Sequence, residues 1–232
     1  MKNKIYETMD AAVADIPDGV TILSPGFSGV GVPRNLIAAL NRQGAKGLTG
    51  VSNNAGTIDE NVDIGTLVEA GQMKKMICAF TASTHPSQVT PFTRMYNNDE
   101  IEAELVPQGT LAERLRCAAA GIGGFYTPTS VGTELAEGKE HREFNGRMHV
   151  LELPLPGDYG LIRCWKADTA GNLVFRLTQR NFNPLMAMAA TVTIVEVEEE
   201  IVEAGELDPD LIHVAGIYVD RMVRIPVGGI WV

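Results

Sequence analysis

Little in this sequence fits a disulfide scaffold, a nucleic-acid binder or a membrane protein. Cysteine is scarce: Cys78, Cys117 and Cys164 are far apart, odd in number and form no Cys-x-x-Cys pair. That spacing argues against a disulfide framework or a structural zinc site and leaves buried, inert thiols as the expectation. Basic residues are the minority, 19 Lys and Arg against 29 Asp and Glu for a formal charge of −10. No basic cluster is interleaved with aromatics, so nucleic acid is not an expected partner. No window reaches the ~18 uninterrupted apolar residues of a membrane helix. The opening residues MKNKIYETMDAAVADI carry acids every few positions and no apolar core; neither a signal nor a transit peptide is expected, and the cytoplasm is the expected location. His85, His141, His149 and His213 show no metal-ligand spacing, and no serine stands in a Gly-x-Ser-x-Gly elbow, so no metal centre or serine hydrolase is expected.

What remains is ordinary globular composition, 45% hydrophobic and 21% charged over 232 residues. That is enough to bury a sizeable core, and one domain over residues 1–232 is expected. Ile5, Met9, Ala12, Val13 and Ile16 share a face of an opening helix. Short apolar strands are expected at Val20 to Leu23, Gly47 to Ser52, Lys75 to Phe80 and Ile101 to Val106. Helices lie between them: one enters at Pro33, carries Leu36, Ile37 and Leu40 on one stripe and stops at Gly44; another runs from about Thr110 to Ala120. Strands alternating with helices give an α/β fold, an open and largely parallel sheet with helices on both faces. The run GIGGFYTPTSVGT breaks the pattern, and Gly138 to Gly146 reads as a polar excursion. Beyond Met148 the segments HVLEL, YGLIRCW, NLVFRL and TVTIVEVEEEIV make the C-terminal third richer in strand. Glu198 to Glu200 are expected to end a strand in water.

The stretch DGVTILSPGFSGVGVP, Asp18 to Pro33, holds the chemistry most readily. A strand delivers glycines at 26, 29 and 31 and the chain then enters a helix, an arrangement that exposes backbone N–H groups near a helix N-terminus. Such a loop holds an anion or lets a flat ligand approach; it can equally be only a tight turn. Its Gly-x-x-Gly-x-Gly order is not the dinucleotide fingerprint, and no Gly-Lys-Ser/Thr phosphate loop exists.

Asp18, Gly19, Gly26, Phe27, Gly31 and Pro33 resemble the signature of family I coenzyme A transferases. The resemblance continues in order through VSNNAG (51–56), VPQGTLAERLR (106–116), GFYTPTSVGT (124–133), ADTAGNLVFR (167–176), RNFNPLMAMAA (180–190) and ELDPDLIHVAGIYVDRMV, which ends at Val223. It spans nearly the whole chain. Pro25 departs from it, standing where the family usually has the first glycine of Gly-Gly-Phe and removing one N–H donor. The resemblance implies an α/β fold shared distantly with sugar-phosphate isomerases. It also implies coenzyme A transfer between carboxylates through a glutamyl-CoA thioester, with coenzyme A as substrate and no permanently bound cofactor. The nucleophilic glutamate belongs to a second, B subunit, in a heterodimer or heterotetramer. Here Glu60, Glu69, Glu143 and Glu203 lack its motif and read as solvated positions. By resemblance, the loop Pro25, Gly26, Phe27, Ser28, Gly29, Val30 and Gly31 lies near coenzyme A, while Asn53, Asn54 and Gln108 line the cleft as neutral amide donors. The residues alone leave Asn53 and Asn54 open to a turn role and Gln108 to a surface one. The expected reaction moves coenzyme A from succinyl-CoA to a 3-oxo acid, with Glu137 to Leu155 more like 3-oxoadipate than acetoacetate enzymes. A stand-alone sugar-phosphate isomerase relative and a non-catalytic acyl-CoA-binding module are the alternatives.

Overall fold

A computed structural model describes residues 3–57, 61–82, 85, 88–226 and 229. In chain order the first half forms α1 (Met9–Val13), β1 (Thr21–Leu23), α2 (Arg34–Gln43), β2 (Leu48–Asn54), α3 (Ile64–Glu69), β3 (Met73–Phe80), α4 (Pro91–Asn97), β4 (Glu102–Leu105) and α5 (Gln108–Ala120). The second half adds β5 (Phe125–Thr127), β6 (His141–Phe144), β7 (Arg147–Glu152), β8 (Gly157–Cys164), β9 (Lys166–Asp168), β10 (Leu173–Val174), α6 (Asn183–Ala189), β11 (Ala190–Val197), β12 (Ile201–Val202) and β13 (Arg221–Arg224).

The main sheet has seven strands in the order β13-β11-β8-β1-β2-β3-β4, and every neighbouring pair in it is parallel. Strand residues alternate between two cores, as a pleat buried on both faces requires. Ile22, Met76, Cys78, Leu161 and Ile194 face α1 to α4; Leu23, Ile77, Ile162 and Val195 face α5 and α6. Helices therefore cover both faces, as the sequence led one to expect. The chain steps outward from β1 to β4, then returns to the other side of β1 with β8. Connections diverge at that switch, and a crevice opens there beyond the carboxyl ends of the strands.

Three expectations needed revision. The opening helix is only Met9–Val13, started by the Thr8 side chain accepting from Ala11 N. Upstream, Tyr6 N donates to Met222 O at 2.8 Å and Met222 N to Lys4 O at 2.7 Å, so tertiary pairing to the edge of β13 overrides helical periodicity. The run after α5 is not wholly irregular. Phe125–Thr127 joins β7 and β6 in a three-stranded antiparallel sheet, its hairpin turning at Asn145-Gly146 with φ 51 and 75. The last apolar runs also break up: Leu173–Val174 is all of NLVFRL that is strand, and a second small sheet, β10-β9-β12, takes the end of the β-branched run.

Candidate active site

The glycine loop leaves β1 at Ser24, at the switch in strand order. Pro25, Gly26 and Gly31 are buried, whereas Phe27, Ser28 and Val30 are exposed. Phe27 and Val30 exchange N–H···O=C bonds at 3.0 Å in both directions, and Ser28 and Gly29 have φ 48 and 83. This is the two-residue turn in which both central residues need positive φ. The tip is thus a small hairpin that lifts Phe27 into a cleft of about 330 Å³. Its other walls are the start of α5, with Gln108, Gly109 and Ala112, and the entry to α6, with Asn181, Phe182 and Leu185.

Gln108 opens α5, two residues before the start expected from sequence. Its Nε2 donates to Asn53 Oδ1 at 2.8 Å across the end of the sheet. The two amides meet because Asn53 shares the parity of Val51, whose side chain belongs to the core beneath α5 and α6. Asn54, one position on, faces the other way and accepts from Gly56 N at 3.3 Å, stabilising the turn after β2. So the fold brings Gln108 and Phe27 to one cleft, sets buried Asn53 behind Gln108 as its hydrogen-bond partner, and gives Asn54 to the turn after β2. Glu69, Glu143 and Glu203 are exposed; Glu60 lies outside the described residues.

The anion seat at the start of the following helix is already taken. Pro33 caps α2 with no side-chain acceptor, and Glu196 from β11 fills the gap, accepting from Asn35 N at 2.9 Å and Leu36 N at 3.0 Å. Those are two of the amides a helix start leaves without partners. Glu196 is fully buried beside Arg163, whose Nε also donates to Glu198 at 2.8 Å. Glu198 receives Gln179 Nε2 at 2.9 Å as well, so this glutamate serves the buried network instead of ending the strand in water; Glu199 and Glu200 are exposed as expected. Sequence reading missed Glu196, Arg163, Arg34 and Asn183. A charged residue in the middle of a β-branched run was the signal for Glu196.

Burial pushes the Glu196 carboxyl up to about 7, against the opposing pull of Arg163 and the amide donors. A folded pKa above the ordinary 4.5 means the folded state holds this proton more tightly. The group's contribution therefore favours folding most at low pH and is withdrawn as pH rises from about 4.5 to 7. Urea midpoints of wild type should fall over that interval relative to Glu196→Gln, which lacks the titration. Parallel profiles for the two proteins would refute it. The three thiols are all buried; burial raises Cys78 to about 11 and Cys164 well above its usual value, which keeps both protonated and unreactive.

An open parallel sheet with a cleft of neutral amides at its switch point defines an α/β protein built to bind a ligand at the carboxyl edge. The family profile of coenzyme A transferase matches residues 6–224, and the chain belongs to that family of enzymes. It is 50% identical over 222 residues to the A subunit of succinyl-CoA:3-ketoacid coenzyme A transferase of Helicobacter pylori (strain J99), covering 96% of this chain and 92% of that one. It is 47% identical over 225 residues to the A subunit of 3-oxoadipate CoA-transferase of Pseudomonas putida, covering 97% and 95%. Among solved structures, glutaconate coenzyme A-transferase from Acidaminococcus fermentans superposes with a TM-score of 0.82 at 22% identity, covering 97% of this chain and 76% of that one. At that identity the superposition bears on the fold alone.

Proposed function

We propose that this chain is the A subunit of a two-subunit, cytoplasmic enzyme that moves coenzyme A from succinyl-CoA to a 3-oxo acid, either 3-oxoadipate or acetoacetate. The nucleophile is a glutamate of the B subunit, and its thioester with coenzyme A is the intermediate of a ping-pong reaction. The observation that carries this reading is the composition of the cleft. Asn53 and Gln108 present paired amides beside it, and none of the described residues lining it is an acid. Amides donate to a thioester or carboxylate oxygen at any physiological pH without ionising. A covalent step on a carboxylate then needs that group from outside the cleft walls.

In the assembled site the hairpin from Pro25 to Gly31 lies along coenzyme A, with exposed Phe27 offering an apolar face to the chain of the cofactor-like substrate. Asn53 and Gln108 face the acyl oxygen. Asn54 holds the turn after β2. The test is reconstitution. This chain, purified alone, should exchange no measurable coenzyme A between succinyl-CoA and 3-oxoadipate or acetoacetate, and mixing it with a B subunit of the same kind of transferase should restore exchange. Exchange by the chain alone would end the proposal.

A further inference from the structure

We infer that Arg34, Asn181 and Asn183 are positioning residues that clamp the cleft hairpin by its carbonyl oxygens and set its place against the coenzyme A thioester. Three consecutive carbonyls are each captured by a separate side chain. Arg34 Nη2 donates to Gly29 O at 3.1 Å, Asn181 Nδ2 to Val30 O at 3.0 Å and Asn183 Nδ2 to Gly31 O at 3.0 Å.

Each clamp residue is itself anchored. Arg34, on α2, also donates through Nη1 to Val62 O at 2.8 Å. Asn181 binds Thr178 O at 2.7 Å and accepts from Phe182 N at 2.6 Å. Asn183 is fully buried, binds Gln179 O at 2.9 Å and accepts from Arg163 N at 3.0 Å. The hairpin is thereby tied to β8, the strand that carries Arg163. Glycine-rich backbone is costly to order, and three directional bonds to fixed side chains offset part of that cost. They also leave the tip amides of Ser28 and Gly29 with no acceptor among the described residues, on a loop whose carbonyl edge is turned to the protein.

The role in catalysis rests on the proposed function; the clamp itself does not. Asn183→Asp and Asn181→Asp keep size and the Oδ1 acceptor and replace the donor by a carboxylate oxygen facing a carbonyl. Hydrogen exchange of the isolated chain reads the clamp. In either variant the amides of Phe27 and Val30 should exchange faster, with β8 and β11 protected as in wild type. Steady-state kinetics of the reconstituted transferase reads the positioning. KM for succinyl-CoA should rise about tenfold, the loss of one good hydrogen bond, while KM for the acid acceptor stays within about twofold. A merely structural residue would lower stability without separating the two constants. Unchanged exchange at Phe27 and Val30 overturns the clamp, and a loosened hairpin with unchanged KM overturns its positioning role. Should the wild-type mixture transfer no coenzyme A, the proposed function fails, and the exchange pattern alone decides the clamp. Should Asn183→Asp not fold, Asn181→Asp, at a half-buried position, gives the same readings.

Discussion

Gly31→Ala is expected to lower kcat/KM of the reconstituted transferase by about 100-fold, the scale of a displacement of about 1 Å in a catalytic element. Gly31 has φ 74, and a methyl there would lie 2.8 Å from Asn183 Nδ2, 2.9 Å from Asn181 Nδ2 and 2.9 Å from Gln179 O. Backbone strain of about 1–2 kcal/mol is therefore joined by collision with two of the clamping side chains and a carbonyl. The hairpin moves because the protein behind it cannot. Gly71→Ala isolates the two effects: its φ of 67 imposes the same strain, and nothing lies within 4 Å of the added methyl. It should cost about 1 kcal/mol of stability and leave turnover as it is. If Gly31→Ala keeps wild-type kcat/KM while its fold survives, the hairpin has no part in the reaction.

Gln108→Ala is expected to reduce kcat by about 100-fold with little change in assembly, the cost of about 3 kcal/mol for one donor aimed at developing negative charge. One hydrogen of Nε2 is committed to Asn53 Oδ1 at 2.8 Å; the proposed role assigns the second to a substrate oxygen. Alanine removes that donor and also releases Asn53 from the tie that holds its amide at the cleft. Because Gln108 is exposed at the first position of α5, the variant's thermal midpoint should stay near wild type. That separates a catalytic loss from an unfolding one. Wild-type turnover in saturating substrates would remove Gln108 from the reaction.

Most of the main sheet was legible because its signals are local, although β13 at its edge was not read as a strand. Val20 to Leu23, the stripe of Leu36, Ile37 and Leu40, and Gly44 as a left-handed stop each depend on neighbours in sequence; Gly44 indeed has φ 88, and its N–H donates to Leu40 O. The candidate site came from another source: the resemblance grouped Asn53, Asn54 and Gln108, and the geometry joins Gln108 to Asn53 alone. What escaped depends on distance along the chain. The cap of α2 comes from Glu196, 161 residues from Asn35, and the ties on Val30 and Gly31 come from 151 and 152 residues away. No window along the chain contains both ends of such a bond. The strand period also explains why Asn53 and Asn54, paired in the sequence reading, part company: adjacent strand residues face opposite sides.

Lys4 reaches across the fold to Ala170 O and Gly216 O, the latter 212 residues away, and Ile5 bridges Met222 on the outermost strand. As the ribosome makes the chain, Lys4 and Ile5 have no seat until residues 170, 216 and 222 have emerged. The seam closes late, and contacts this remote slow folding. A nascent chain stopped short of β13 would expose the raw edge of a parallel sheet, which neighbouring polypeptides on the same message could join.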